Sequence, residues 1–121
     1  MYRVLIIDDE DDICNLLLYA FSRNGIEAKI ATNGREGLDC FNQEHFDLVI
    51  TDMLMPGVNG NNVARQIRSS SRPETPIIGI SVTAWLLDRN DFNAVFEKPM
   101  SIHALLDKVK DLVMASHEVP V

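Results

Sequence analysis

Five short runs of apolar and β-branched residues recur along the chain, and stretches with helical periodicity lie between them. The run that ends at Ile7 is continuously apolar and β-branched, which is typical of a strand that is covered on both sides. Strands that alternate with helices form βαβ units, which build a parallel sheet with helices on both faces. The sequence therefore predicts a doubly wound, five-stranded α/β domain, with strands at residues 3–7, 28–31, 48–51, 77–81 and 95–97.

The helical segments show one apolar stripe each. The clearest stripe follows Ser101, a residue that can cap a helix, and continues through six apolar positions to Val113. Weaker stripes follow the first, second and third runs. Residues 82–97 differ from these segments because they have no sustained helical period, so we expect a turn or no helix at all there.

The size and charge of the chain limit its function. Its 121 residues suffice for one domain, which we place at residues 1–116, with 117–121 as a tail or the start of a linker. A net charge of −7 argues against direct binding to nucleic acid, and no apolar stretch is long enough to span a membrane. The cysteines, Cys14 and Cys40, fit neither a disulfide framework nor a zinc site, as expected in a reducing cytoplasm.

Charged and polar residues follow four of the five predicted strands. In open parallel sheets, ligands bind beyond the carboxyl ends of the strands. Clustered carboxylates stay ionised only beside a cation, and a site with only oxygen ligands suits Mg²⁺. A carboxylate beside Mg²⁺ can attack phosphorus, while an ammonium and a hydroxyl group stabilise the phosphoryl oxygens. The residues in these positions are Asp8, Asp9 and Glu10, Asp52, Ser81, and Lys98.

Four motifs resemble those of response-regulator receiver (CheY-like) domains of two-component signalling systems, in the same order and with similar spacing. They are I-I-D-D-E at 6–10, D-M-L-M-P-G-V-N-G at 52–60, P-I-I-G-I-S at 76–81 and E-K-P at 97–99. The resemblance covers nearly the whole chain. It implies the flavodoxin-like strand order 2-1-3-4-5, with a shortened or missing fourth helix in this chain.

The resemblance also implies a role for each matching residue. Asp52 corresponds to the phosphoacceptor. Asp8 and Asp9 correspond to the acidic pair that holds Mg²⁺ together with Asp52 and the backbone carbonyl of Leu54, and Asp9 is the expected direct ligand. Glu10 is left open between a water-mediated role at the metal and simple exposure to solvent.

Ser81 and Lys98 correspond to the hydroxyl and the ammonium that stabilise the phosphoryl group, and the Lys98–Pro99 bond resembles the family's cis peptide. The resemblance implies that the phosphoryl donor is a sensor histidine kinase or a phosphotransfer protein. The signal then passes to an unknown downstream protein through protein contacts. Such a domain assists its own phosphorylation and dephosphorylation but is not a conventional enzyme.

The chain departs from the family pattern on the side that usually transmits the signal. Val95 stands where the family has an aromatic residue, and the segment before it is shorter than usual. Trp85, Leu86 and Leu87 either fold down to cover the core or form an apolar partner surface. Trp85 and Val95 are therefore candidates for an output surface.

The resemblance implies that Leu54 and Thr83 occupy positions that should tune the lifetime of the phosphoryl group by admitting or excluding water. The side chain of Leu54 is apolar and cannot orient a water molecule, so we expect slow self-dephosphorylation.

Two alternative functions are considered beside that of a phosphoacceptor domain. The first is an interaction module that works without phosphorylation and keeps a vestigial site. The second, a flavin-binding protein, is disfavoured because the acidic run after the first strand would repel the flavin phosphate. Within that run we assign Asp11 and Asp12 to the start of the first helix, where their charges favour the positive end of the helix dipole.

Overall fold

In the computed structural model, which describes residues 1–116, the chain forms one parallel sheet of five strands in the order β2-β1-β3-β4-β5. The predicted doubly wound fold and its strand order are confirmed. Strands β1 and β2 begin one and two residues earlier than predicted, and β5 begins one residue earlier. The predicted tail at 117–121 lies outside the described residues. The strands are β1 (Tyr2–Ile7), β2 (Ile26–Ala31), β3 (Leu48–Thr51), β4 (Ile77–Ser81) and β5 (Ala94–Glu97).

Four α-helices cover the two faces of the sheet. Within residues 1–116, no helix is both long enough and apolar enough to cross a lipid bilayer. One core cluster joins α1 and α4 to one face, and a second cluster joins α2 and α3 to the other. The helices are α1 (Asp11–Arg23), α2 (Gly34–Gln43), α3 (Gly60–Arg68) and α4 (Ile102–Ser116).

The connection between β4 and β5 contains a single 3₁₀ turn, Ala84–Leu86, in place of a full helix. The expected shortening is confirmed. Leu87 is 5% exposed, and a side chain on Gly79 of β4 would collide with Leu87 and with the ring of Phe92. These two apolar side chains therefore cover the part of the sheet that a helix would otherwise shield.

The alternative in which the apolar residues of this connection cover the core holds for one of the three, and a partner surface at the other two stays a prediction. Leu87 folds onto the core, whereas Trp85 is 68% exposed and Leu86 is 48% exposed. The reason is geometric: a short turn can direct only part of its side chains towards the sheet, and its remaining residues face solvent.

Helix α3 holds the shortened connection through two polar side chains. The amide of Asn61 donates to the carbonyl of Leu86 at 2.9 Å and accepts from the backbone N–H of Asp88 at 2.7 Å. The guanidinium of Arg68 donates to the carbonyls of Pro73, Thr75 and Asp91, and to the side chain of Asn93. Side-chain hydrogen bonds thus position a segment that has little regular secondary structure.

We expect Arg68→Met to lower the free energy of unfolding by about 2 kcal/mol, because the carbonyls that Arg68 bridges lose a charged donor. Urea denaturation measures the loss. Arg65→Met is the control on the same helix: Arg65 is exposed, and its replacement should change stability by less than about 0.5 kcal/mol. Equal effects of the two substitutions would show that Arg68 does not hold this segment.

Candidate functional site

Three carboxylates meet at the carboxyl edge of the sheet. Asp8 follows β1 and is fully buried, and Asp52 follows the neighbouring strand β3 and is 4% exposed. Glu10 lies at the start of α1, and one carboxylate oxygen from each of these residues lies within 4.8 Å of the others. The fold therefore brings Asp52 together with two acids that lie 42 and 44 residues before it in the chain.

Lys98 supplies the positive charge at this cluster. Its Nζ atom lies 2.9 Å from Asp8 Oδ2, 2.8 Å from Glu10 Oε1 and 3.5 Å from Asp52 Oδ2. Burial alone would lower the pKa of Lys98, but the hydrogen bonds to Glu10 and Asp8 outweigh burial and hold the pKa above its usual value. Lys98 is therefore a permanent cation, and the Lys98–Pro99 bond that follows it is cis, as expected.

Asp8 and Asp9 have different surroundings although they are adjacent in sequence. Burial raises the pKa of the Asp8 carboxyl, while hydrogen bonds from the Glu10 backbone N–H and from Lys98 oppose the rise. Asp9 is exposed and does not belong to the group of three carboxylates. Its role as the direct metal ligand stays a prediction.

The acidic residues after Glu10 belong to α1. Asp11 and Asp12 lie in the first turn of the helix, where their negative charges interact favourably with the positive end of the helix dipole. The N-cap residue is Glu10, and its side chain makes no capping hydrogen bond because its carboxylate contacts Lys98 instead.

The backbone around Asp52 is tightly packed. The Asp52 N–H donates to the carbonyl of Ile7 on β1, and Asp52 Oδ1 accepts from the Met53 N–H at 2.8 Å. A side chain on Gly60, the first residue of α3, would lie 2.3 Å from the Asp52 carbonyl oxygen. Only glycine allows α3 to begin this close to Asp52, and the close packing restrains the Asp52 backbone.

The remaining predicted residues lie around this cluster, but not all of them contact it. Ser81 is fully buried, and its hydroxyl group pairs with Thr83. The side chain of Leu54 is 52% exposed, and its apolar surface lies in the loop after Asp52. Val95 is half-buried and packs against the core, so Trp85 is the more accessible of the two candidate output residues.

The donor set fits a hard divalent cation. The three clustered groups are all carboxylates, which are the ligands that Mg²⁺ prefers, and Glu10 keeps the cluster open to solvent because its side chain is 56% exposed. Against three carboxylates the cluster has one ammonium, so it retains an excess of negative charge that a cation would neutralise.

Sequence reasoning left the role of Glu10 open and did not assign Gly60 or Asn61 to the site. Glu10 contacts Lys98, Gly60 packs on the Asp52 backbone, and Asn61 holds the shortened connection. The asparagine and glycine that open α3 give a local signal for a helix start. Nothing in the local sequence indicates the contact between Glu10 and Lys98, which are 88 residues apart.

Cys14 lies directly beneath the site, where its thiol donates to the Asp8 carbonyl at 3.3 Å. Burial, assisted by the charge of Asp8, raises the pKa of the Cys14 thiol to about 11. Because the thiolate is the reactive form, we expect Cys14 to resist alkylation in the native protein.

Native alkylation with iodoacetamide near neutral pH, followed by peptide mass spectrometry, should therefore label the half-buried Cys40 before Cys14. Alkylation in urea, which should label both cysteines, is the control for peptide recovery. Equal native rates would contradict the burial of Cys14.

Comparison with known proteins identifies the family. The chain matches the response regulator receiver domain family over residues 4–110. The regulatory protein VanRB of Enterococcus faecalis is 31% identical, in an alignment that covers 94% of this chain and 53% of VanRB. The transcriptional regulatory protein YrkP of Bacillus subtilis is 36% identical over 74% of this chain and 38% of YrkP. The chain therefore spans about half or less of the length of these relatives.

Solved structures agree with this result. The response regulator TrrA of Thermotoga maritima, in complex with Mg²⁺ and BeF, has a TM-score of 0.85 at 34% identity and covers 93% of this chain and 99% of its own. A receiver domain protein from Methanospirillum hungatei has a TM-score of 0.89 at 26% identity and covers 95% of both chains. With its sheet order, its acidic cluster and its lysine in place, the chain belongs to the family of response regulator receiver domains, the phosphoacceptor domains of two-component signalling systems.

Proposed function

We propose that Asp52 is the residue of this domain that accepts the phosphoryl group, and that a phosphohistidine of a sensor histidine kinase or a phosphotransfer protein donates it. The observation that carries the proposal is the position of the Asp52 carboxylate. It is almost fully buried, it lies at the carboxyl edge of the sheet, and Lys98 and two further carboxylates surround it.

The reaction is a phosphoryl transfer. An oxygen of Asp52 attacks phosphorus, a new P–O bond forms, the P–N bond to the donor histidine breaks, and the departing imidazole keeps its electron pair and takes up a proton. Lys98 neutralises part of the charge that the carboxylate and the phosphoryl oxygens share, and the hydroxyl of Ser81 donates a hydrogen bond to a phosphoryl oxygen. The fixed backbone around Asp52 keeps the attacking oxygen in one orientation.

Mg²⁺ fits the oxygen ligands of this site, and we propose that Asp8, Asp9, Asp52 and the backbone carbonyl of Leu54 hold it. When bound, Mg²⁺ offsets the negative charge of the carboxylates and of the incoming phosphoryl group. The complex of TrrA with Mg²⁺ and BeF supports the binding of Mg²⁺, because beryllium fluoride has the tetrahedral shape of the phosphoryl group that the metal would accompany.

Labelling the wild-type protein tests the proposal directly. The protein is incubated with Mg²⁺ and acetyl phosphate, and intact-mass and tandem mass spectrometry locate the adduct. We expect one base-labile phosphoryl group on Asp52 and none when EDTA removes the metal. An unlabelled wild type would instead favour an interaction module that works without phosphorylation, and an adduct on another residue would refute the assignment of Asp52.

Mg²⁺ should stabilise the protein, by about 2.7 kcal/mol when its free concentration is one hundred times its Kd. We expect Asp9→Asn to remove most of this gain and Glu10→Gln to leave most of it, although Glu10 and not Asp9 lies in the clustered group. Thermal unfolding with and without Mg²⁺ measures both variants. If Asp9→Asn leaves the gain unchanged, the metal ligand after β1 is not Asp9.

The proposal extends to the location and the partner of the domain. We propose a cytoplasmic signalling role in which the phosphorylated domain contacts a downstream protein, makes no direct contact with nucleic acid and has no catalytic activity beyond its own phosphorylation and dephosphorylation. The net charge of −7 supports a protein partner over a nucleic acid.

A further inference from the structure

The hydroxyl group of Ser81 is hydrogen-bonded to Thr83 and not to the carboxylates of the site. It accepts the backbone N–H of Thr83 at 3.2 Å and pairs with the Thr83 hydroxyl at 3.1 Å. Within residues 1–116, these are the hydrogen bonds that this buried side chain makes. Ser81 ends β4, and Asp52 follows the neighbouring strand β3. In this state, however, the Ser81 hydroxyl is hydrogen-bonded to Thr83 and not to a carboxylate of the acidic site.

Thr83 is also the N-cap residue of the 3₁₀ turn Ala84–Leu86, which lies at the surface. Its carbonyl accepts the N–H of Leu86 at 2.9 Å. The same turn presents Trp85 to solvent, 68% exposed. Thr83 therefore has a buried partner on one side, the hydroxyl of Ser81, and an exposed apolar turn on the other.

We infer that Thr83 is a positioning residue that holds the Ser81 hydroxyl in the unphosphorylated state and links it to the Ala84–Leu86 turn. The inference rests on the proposed function, in which Ser81 donates to the phosphoryl group on Asp52. When Ser81 donates its single proton to the phosphoryl group, the hydroxyl pair can persist only with Thr83 as its donor. Phosphorylation therefore changes the hydroxyl pair that ties the turn carrying Trp85 to the core.

The link from Ser81 through Thr83 to the turn does not involve position 95, where the family has an aromatic residue. Val95 has no polar group and packs against the core, so it cannot follow the hydroxyl of Ser81 by hydrogen bonding. The Ser81–Thr83 pair needs no residue on β5, and it ends at an exposed apolar side chain that a protein partner can contact.

Beryllium fluoride with Mg²⁺ is the probe for the test, and Trp85, the single tryptophan of the chain, is an internal reporter. The apparent Kd is measured by fluorine NMR, and the tryptophan emission is recorded separately. Thr83→Val removes the hydroxyl while it keeps the shape of the side chain. We expect the variant to bind the probe about fivefold more tightly, the factor expected for one net hydrogen bond that no longer competes for the Ser81 hydroxyl.

We also expect the wild-type emission of Trp85 to change on binding, and this change to be lost in Thr83→Val and in Ser81→Ala. Thr83→Ser, which keeps a hydroxyl group, should behave like the wild type. In a Ser81→Ala background, Thr83→Val should alter the Kd by less than about twofold, because Thr83 acts through Ser81.

An unchanged Kd in Thr83→Val would overturn the inference. So would a gain that persists in the Ser81→Ala background, since it would show that Thr83 acts by steric access and not through the hydroxyl pair. A wild type that binds no beryllium fluoride and takes up no phosphoryl group would refute the proposed function and this inference together. If the wild type binds the probe, the proposed function stands, and the Thr83 variants then test this inference alone.

Discussion

Asp52→Asn is expected to abolish phosphorylation of the domain while its fold is retained. The amide has almost the same shape as the carboxylate, and its oxygen can still accept the Met53 N–H, but an amide oxygen is too weak a nucleophile to attack phosphorus at a useful rate. The substitution also removes one of three clustered negative charges, so the free energy of unfolding in EDTA should not fall.

The measurement is the phosphoryl adduct formed with acetyl phosphate and Mg²⁺, together with a urea denaturation curve. Asp39→Asn is the matched control, because Asp39 is an exposed aspartate on α2 outside the site, and it should be labelled like the wild type. Undiminished labelling of Asp52→Asn would refute the phosphoacceptor assignment.

Lys98→Met should strongly destabilise the protein without Mg²⁺. Methionine has a similar length but no charge, so the buried carboxylates of Asp8 and Asp52 would lose the cation that faces them. Removing one partner of a buried ion pair costs about 3–5 kcal/mol. The loss should be largest in EDTA and smaller with Mg²⁺, because the metal supplies a replacement positive charge.

The same variant should be phosphorylated about 100-fold to 1000-fold more slowly, the loss found when one preorganised electrostatic contact to a transition state is removed. Lys29→Met is the control: Lys29 pairs with Glu44 on the exposed surface, and its replacement should have little effect on stability or labelling. If Lys98→Met is as stable as the wild type in EDTA, the ammonium does not compensate the acidic cluster. Lys98→Arg separates the loss of charge from the loss of shape.

The strands were the most predictable part of the fold. β3 and β4 lie where the sequence places them, and the errors at β1, β2 and β5 are of one or two residues at the amino end. The runs of β3 and β4 are visible in the sequence because strands covered on both faces are nearly continuously apolar. Strand ends at Tyr2 and Ile26 were less visible because hydrogen bonds to the neighbouring strand extend the pairing beyond the apolar run.

The shortened connection was predictable only as an absence of helical periodicity. The sequence shows that residues 82–97 have no helical stripe, but it does not show which apolar side chains replace the helix. Leu87 and Phe92 do so because Gly79 leaves room above β4, and Asn61 and Arg68 hold the segment from a different helix. These contacts join residues from separate elements, and no local pattern encodes them.

By itself, the sequence determined the alternation of strands and helices and the acids, hydroxyl and lysine at the strand ends. It could do so because polarity and periodicity are local properties of the chain. Only the tertiary structure decided that Lys98 faces Glu10 as well as Asp8, and that the hydroxyl of Ser81 rests on Thr83. These choices depend on where side chains from distant strands and helices point once the sheet is assembled, and that direction is set by packing.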